Sequence, residues 1–245
     1  MTGRHRQLEG GTRLDTDGLA ALLASLTGPR FVGAAAKAVR VDEHLFPEER
    51  EHIARAVESR RAEFGTARVL ARQALTKLGI AGQSLVPHPN REPRWPREAV
   101  GSITHSQGYC AVVVARESEI ASVGLDLELT ASLREGMHRI ICTEGERQWL
   151  RDSDEAANPW LGPLVFSAKE SFYKCQYTLT QARLGFQDVD FKFDLGTGRF
   201  SVGHLSASVP QPQQLKQIEG RWCRLPGFVL TVAYLARALA SPDPA

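Results

Sequence analysis

The sequence predicts an α+β protein built as two similar lobes related by a pseudo-twofold. Each lobe is a small, mainly antiparallel sheet packed against a long helix. A long helical stretch is followed by strand-like stretches, and that order then recurs. Strands that follow a helix in runs, rather than alternating with helices one by one, mark an α+β chain. The 245 residues, 42% of them hydrophobic, are enough for a sizeable core. The seam is expected near Arg116–Ile120, giving a first lobe over 41–118 and a second over 119–240. Residues 1–40 read as a poorly defined N-terminal extension. No residue-level repeat accompanies this coarse echo. A cleft between two such lobes is a favoured place for a ligand.

The elements follow in order. A short helix is read near Leu19–Leu26. Pro47-Glu48-Glu49 opens a long helix, with proline in its first turn and acids at the positive end of the dipole. It is expected to run to Leu78, with Gly79 as its stop and a break near Phe64–Gly65, because glycine weakens helix interiors. The prolines of Pro87–Pro96 forbid a helix or a central strand there. Strands follow at Val100–His105, Tyr109–Ala115 and Ala121–Leu129. A helical stretch near Glu144–Leu150 precedes a helix over Pro163–Tyr177. Further strands are read at Phe186–Asp194, Arg199–Val202, Gly220–Arg224 and Phe228–Leu235, and a disordered tail at Ser241–Ala245.

Composition narrows the functional classes. Thirty basic residues face 28 acidic ones, a net charge of +2 that gives no case for bulk nucleic-acid binding. No apolar run approaches a membrane span, and no secretory signal is read at the N-terminus. The four cysteines are scattered without a C-x-x-C pair and the seven histidines form no cluster. Reduced cysteines in a cytoplasmic protein are expected, without a structural zinc site.

Two stretches carry the chemistry. In Val123–Leu129 the odd positions are all apolar, while Gly124, Asp126 and Glu128 share the other face. The two acids have Cα atoms roughly 7 Å apart, close enough for both side chains to reach one cation. Gly124, on the same face, leaves room for something bulky. In Phe166–Lys174, Leu164, Val165, Ala168, Phe172 and Cys175 gather on one helical face. Glu170 and Lys174 sit nearly opposite, with Ser167 between them in projection. Lys169 lies at the edge of the apolar stripe, where its stem can pack and its head emerge. Each stretch taken alone reads better as a half-buried strand with a solvated face, or as a helix with an exposed Glu–Lys pair.

Read together, VGLDLE and FSAKESFYK resemble the Sfp-type phosphopantetheinyl transferases. That family's pattern is Val/Ile-Gly-Val/Ile-Asp-x-Glu, then, about forty residues later, aromatic-Ser/Thr/Cys-x-Lys-Glu-Ser/Ala-x-x-Lys. The likeness extends to Arg60-Arg61-x-Glu-Phe with Arg68, to Pro93-x-Trp-Pro96, to Gly101-Ser-Ile-Thr-His105, to Leu184-x-Phe186 and to Gly227–Tyr234. It covers about residues 42–236 and is greatest with actinobacterial members serving polyketide and nonribosomal peptide synthesis.

The resemblance implies the 4′-phosphopantetheinyl transferase fold and transfer of 4′-phosphopantetheine from coenzyme A to a serine of an apo acyl or peptidyl carrier protein. Adenosine 3′,5′-bisphosphate is the other product. It implies that Asp126, Glu128 and Glu170 hold Mg²⁺ against the pyrophosphate and that Lys174 neutralises phosphate charge. By the same resemblance Arg60, Arg68, Thr104 and His105 hold the nucleotide end, and Lys169 lines the cleft. Phosphoryl transfer asks mostly for alignment and charge neutralisation, which this set supplies. Glu170 is the candidate general base and Glu128 the alternative. Pro87-His88-Pro89 departs from relatives that carry a basic residue and glycine there, and Arg91 or His88 is the candidate replacement. A monomer is expected, since two lobes of one chain form the whole cleft. A catalytically silent homologue that binds coenzyme A or a carrier protein is the alternative, against which stand the three acids and Lys174. An unrelated metal-dependent phosphohydrolase would leave the Lys-Glu-x-x-x-Lys helix and the Trp-Pro loop without a role.

Overall fold

The computed structural model describes residues 16–89, 92–131, 133–134 and 136–237. Arg91 and the Ser241–Ala245 tail lie outside them. In chain order the elements are α1 (Thr16–Thr27), β1 (Phe31–Lys37), α2 (Pro47–Ile53), α3 (Glu58–Lys77), β2 (Ala99–Ser106), β3 (Tyr109–Arg116) and β4 (Ile120–Leu129). Then come α4 (Met137–Ile141), α5 (Glu144–Asp152), α6 (Leu161–Thr180), β5 (Val189–Asp194), β6 (Arg199–Leu205), α7 (Pro212–Leu215), β7 (Glu219–Leu225) and β8 (Phe228–Ala236).

The strands form two antiparallel sheets, one ordered β1-β3-β2 and the other β4-β8-β7-β6-β5. The expected α+β class is therefore present, with three strands in one sheet and five in the other. The two sheets share a core. Phe31, Val100, Tyr109 and Val113 of the first pack with Val123, Leu125, Leu127, Leu230 and Val232 of the second. Helix α3 covers the other face of the small sheet through Leu70, Ala71, Ala74 and Leu75 against Val112 and Val114. Helix α6 covers the large sheet through Leu164, Ala168, Phe172 and Cys175. Among the described residues no helix is long and apolar enough to cross a membrane.

Three expectations are corrected. β1 was not foreseen in the weakly periodic N-terminal region. Its FVGAAAK sequence is buried only at Phe31 and Ala34, so no period-two alternation announces it. The helix opened by Pro47 breaks at Ala54–Val57, and Gly65 lies inside α3. A Cβ at Gly65 would meet Val41 Cγ2 at 2.9 Å, so this glycine serves close packing rather than a break. The strand read from Phe186 begins at Val189, because Phe186–Asp188 forms a 3-10 turn.

Where the sheets meet, side chains replace a backbone ladder. β4 is an edge strand, and its outward N–H groups at Leu125 and Leu127 donate to Ser102 Oγ (2.9 Å) and Thr104 Oγ1 (3.2 Å) of β2. Both hydroxyls are buried. The edge is thus satisfied without continuing the sheet, as buried donors require.

Candidate active site

β4 presents Gly124, Asp126 and Glu128 on one face, paired across the ladder with Ala233, Thr231 and Val229 of β8. What fills the room above Gly124 is the backbone of α6. A Cβ at position 124 would lie 1.8 Å from Ser171 O and 2.8 Å from Cys175 N. The missing side chain lets the helix settle onto the strand. Ser167 and Ser171 are buried against β8, where Ser167 Oγ and Thr231 Oγ1 are 2.9 Å apart and Thr231 donates to Ser171 Oγ at 3.0 Å. The helical face expected to be solvated is thus half covered by the sheet, and Glu170 and Lys174 reach out along its rim.

Lys174 makes the central contact. Its Nζ lies 2.7 Å from Asp126 Oδ1 and 2.8 Å from the Leu125 carbonyl. Thr104 Oγ1 stands 3.4 Å from the same carboxylate oxygen. Asp126 is buried, and its Oδ2 has no hydrogen-bond partner. A buried carboxylate oxygen left unpaired is costly and marks a place where a further group belongs. Burial pushes the Glu128 carboxyl above the usual carboxylate range, and the charges of Asp126 and Glu170 push it the same way. The Leu129 N–H, 3.1 Å from Glu128 Oε1, opposes them. Glu170 is likewise raised, by burial and by Asp126, against the pull of Lys174.

A second group gathers beyond Thr104. Arg60 of α3 places Nη1 2.8 Å from His105 Nε2 at the end of β2, and Glu63 Oε2 lies 3.4 Å from His105 Nδ1. Burial, with Arg60 and Lys174, holds the imidazole below its usual pKa, against the charges of Glu63 and Asp126. Arg68 lies deeper. Its Nε donates to Leu85 O at 3.0 Å and its guanidinium lies 3.9 Å from the centre of the Phe64 ring. Burial brings its pKa down to about 10.

The structure brings Asp126, Glu128, Glu170 and Lys174 to one rim and Arg60, Thr104 and His105 to the neighbouring one. Lys169 lies off that rim, in the wall of the cavity that opens beside Glu170. That side chain is 2% exposed, with Nζ 2.8 Å from Glu146 Oε2 and bonded to the Phe186 and Val189 carbonyls. Lys169 ties α6 to α5 and β5. Arg68 is also largely committed to the fold. Near Pro87 the structure has a Pro87–Pro93 bridge and His88 N donating to Glu92 O at 2.8 Å. The sequence reading missed Glu63 and Ser102 as parts of the site. Glu63 falls one turn after Arg60, a spacing that could have flagged it.

A mostly apolar cavity of about 280 Å³ opens beside Glu170, lined by Phe172, Tyr173, Leu184, Phe186 and Val189, with Lys169 also in its wall. A larger hollow of about 470 Å³ lies between Thr130, Trp160 and the Arg224–Gly227 turn, with none of the acids or lysines of the rim in its lining. Size therefore does not mark the site here; the charges do.

Two family models match the chain. One described as 4′-phosphopantetheinyl transferase N-terminal domain covers residues 48–115, and one described as 4′-phosphopantetheinyl transferase superfamily covers residues 122–233. The chain is 40% identical over 205 residues to 4′-phosphopantetheinyl transferase Svp of Streptomyces mobaraensis, an alignment that spans 81% of this chain and 80% of that protein. It is 37% identical over 198 residues to 4′-phosphopantetheinyl transferase Npt of Nocardia iowensis, spanning 77% and 88%. It is 38% identical over 194 residues to 4′-phosphopantetheinyl transferase PptT of Mycobacterium tuberculosis, spanning 77% and 85%.

Proposed function

The chain belongs to the 4′-phosphopantetheinyl transferase superfamily, and on that premise we propose that the rim shared by β4 and α6 is where it transfers the phosphopantetheine of coenzyme A to a carrier protein. The observation that carries this reading is the Lys174–Asp126 contact at 2.7 Å beside an unpaired, buried Asp126 Oδ2. An ammonium and a carboxylate with spare capacity sit together where a pyrophosphate and a cation would need both.

The donor set suits Mg²⁺. Asp126, Glu128 and Glu170 offer carboxylate oxygens, the ligands a hard cation prefers. Burial and mutual repulsion already penalise the charges of Glu128 and Glu170, and a cation would relieve both. Among the described residues no three such groups already surround one point. That fits an ion held by one or two carboxylates together with substrate phosphates rather than by an all-protein cage. When bound, the cation would neutralise charge on the pyrophosphate and on the leaving bisphosphate.

The protein's own groups do the rest. The carrier serine Oγ attacks the β-phosphorus, a new P–O bond forms, and the bond to the bridging oxygen breaks. Adenosine 3′,5′-bisphosphate departs with that oxygen and its electron pair. Glu170 takes the serine proton; its carboxylate accepts no hydrogen bond from a described residue, and burial raises its pKa, which suits a base. Glu128 is the less suited, because Leu129 N–H already occupies one of its oxygens. Lys174 meets phosphate oxygens, and Arg60 and His105 meet the 3′-phosphate. The cavity of about 280 Å³ beside Glu170 takes the pantetheine arm, whose methyl and methylene groups suit Phe172, Tyr173 and Leu184.

The test is direct. Incubation with coenzyme A, Mg²⁺ and a panel of apo-carrier proteins should raise a carrier's mass by one phosphopantetheine. No mass shift across the panel would turn the reading to a silent homologue.

A further inference from the structure

The reaction as derived leaves one carboxylate of the nucleotide rim without a part. Glu63 is on α3, one turn beyond Arg60, and its side chain is 20% exposed. Its Oε2 stands 3.4 Å from His105 Nδ1 and 3.9 Å from Arg60 Nη1. On the other side of the imidazole, Arg60 Nη1 is 2.8 Å from Nε2.

A guanidinium can only donate. Nε2 must therefore carry the lone pair, and the ring proton of the neutral imidazole sits on Nδ1, facing Glu63. The order is Glu63 carboxylate, Nδ1–H, imidazole, Nε2, Arg60. A histidine's tautomer and direction are set by what its other nitrogen binds. We infer that Glu63 is a positioning residue: by holding the Nδ1 side of His105 it fixes the tautomer that presents Nε2 to Arg60, and so aims the Arg60 guanidinium.

The neighbouring arginine shows what this arrangement avoids. Arg61 Nη2 lies 2.9 Å from Asp42 Oδ2, a direct ion pair that takes up its charge. Arg60 has its nearest carboxylate at 3.9 Å and a side chain that is 50% exposed. It is steered through the ring, with Glu63 no nearer than 3.9 Å, which leaves most of its N–H donors for an anion. A planar fork held in this way is suited to phosphate oxygens. Lys174 of α6 and Asp126 of β4 also act on His105 through space, as Glu63 does, and of the three it is Glu63 that stands 3.4 Å from Nδ1. The peptide carbonyl of Glu63 meets Cys110 Sγ at 3.5 Å, and a side-chain change leaves that contact in place.

The inference rests on the reading that Arg60 and His105 meet the 3′-phosphate. The experiment compares coenzyme A with 3′-dephospho-coenzyme A in wild type, R60A, E63A and E63Q, with the imidazole ¹⁵N shifts of His105 recorded in each. E63A should raise KM for coenzyme A about tenfold, the size of one well-placed charge-assisted hydrogen bond, with kcat unchanged. KM for the dephospho form should stay as in wild type. E63Q should recover most of the loss, since its amide oxygen still stands against the Nδ1 side of the ring. The His105 shifts should leave the Nδ1–H pattern in E63A only. If E63A does not fold, E63D is read in its place, because its shorter side chain draws the carboxylate back from the ring. If R60A discriminates the two cosubstrates less than wild type but E63A discriminates as wild type does, the inference is overturned. If R60A itself discriminates as wild type does, the phosphate reading fails first. Equal KM increases for both cosubstrates in E63A would make Glu63 merely structural.

Discussion

Lys174 Nζ lies 2.7 Å from Asp126 Oδ1, although the two residues are 48 positions apart and on different elements. The contact exists because Gly124 lets α6 lie against β4. Asp126 is buried and Lys174 is its one ion-pair partner among the described residues. Lys174→Met should lower kcat by about 10²-fold or more, the usual loss when a charge aimed at a phosphoryl group is removed. Lys174→Arg should recover part of it. Turnover of Lys174→Met within a few fold of wild type would remove this lysine from the chemistry.

Gly124→Ala tests the packing beneath the site. Its Cβ would need the space of Ser171 O, a backbone atom that cannot rotate away. We expect at least ~1–3 kcal/mol of destabilisation, read by urea unfolding, with transfer activity lost as α6 lifts from β4. A variant as stable and as active as wild type would contradict the close approach.

Glu128→Gln should stabilise the ligand-free protein while destroying activity. Burial raises the folded-state pKa of Glu128. The folded state then holds more protons than the unfolded one between the ordinary glutamate pKa and the raised one. Stability therefore falls as pH rises through that window and stays lowered at neutral pH. Removing the charge should raise Tm at pH 7, by at most a few degrees because solvent screens a partly exposed carboxyl. The gain should vanish below the ordinary glutamate pKa, where Glu128 is protonated in both states. A lowered Tm at pH 7 would reverse the assignment of burial as the dominant cause.

The pH profile of kcat/KM should carry the mark of the raised acids. Both Glu128 and Glu170 must ionise to serve, and both are shifted upward. The acid limb should have its midpoint above ~4.3, the ordinary glutamate value. A midpoint at or below that value, with chemistry shown to be rate-limiting, would mean that neither carboxyl governs the limb.

Lys169→Met separates fold from chemistry. Its side chain is buried and its ammonium is paired with Glu146, so removing it strands a buried carboxylate. The expected cost is ~3–5 kcal/mol, measured by chemical denaturation. The folded fraction should keep the wild-type KM for coenzyme A. A selective rise in that KM without loss of stability would give the Lys169 ammonium a direct part in coenzyme A binding.

The acidic strand was legible because its signal is local. Period-two alternation alone puts Asp126 and Glu128 on one face, and β4 does so. The α6 helix was legible as an element and less so in its surroundings. An i, i+4 pattern reports faces, not what covers them. Ser167 proved buried against Thr231, and Lys169 against Glu146, because β8 and α5 arrive from distant parts of the chain. β1 escaped notice because small residues fill its middle and it is recognised only by pairing with β3. Ser102 was hidden for a related reason. Its role as acceptor for Leu125 N needs two strands to meet edge to edge, and no spacing within β2 shows that.

The central claim is that the carboxylates of β4 and α6 form the transfer site. It is tested most directly by loading an apo-carrier protein with coenzyme A and Mg²⁺ and reading the intact mass, for wild type beside Asp126→Asn and Glu170→Gln. The account predicts one added phosphopantetheine with wild type and none with either variant, while both variants keep the wild-type fold by circular dichroism. Loading by Asp126→Asn or Glu170→Gln at near-wild-type rates would contradict it.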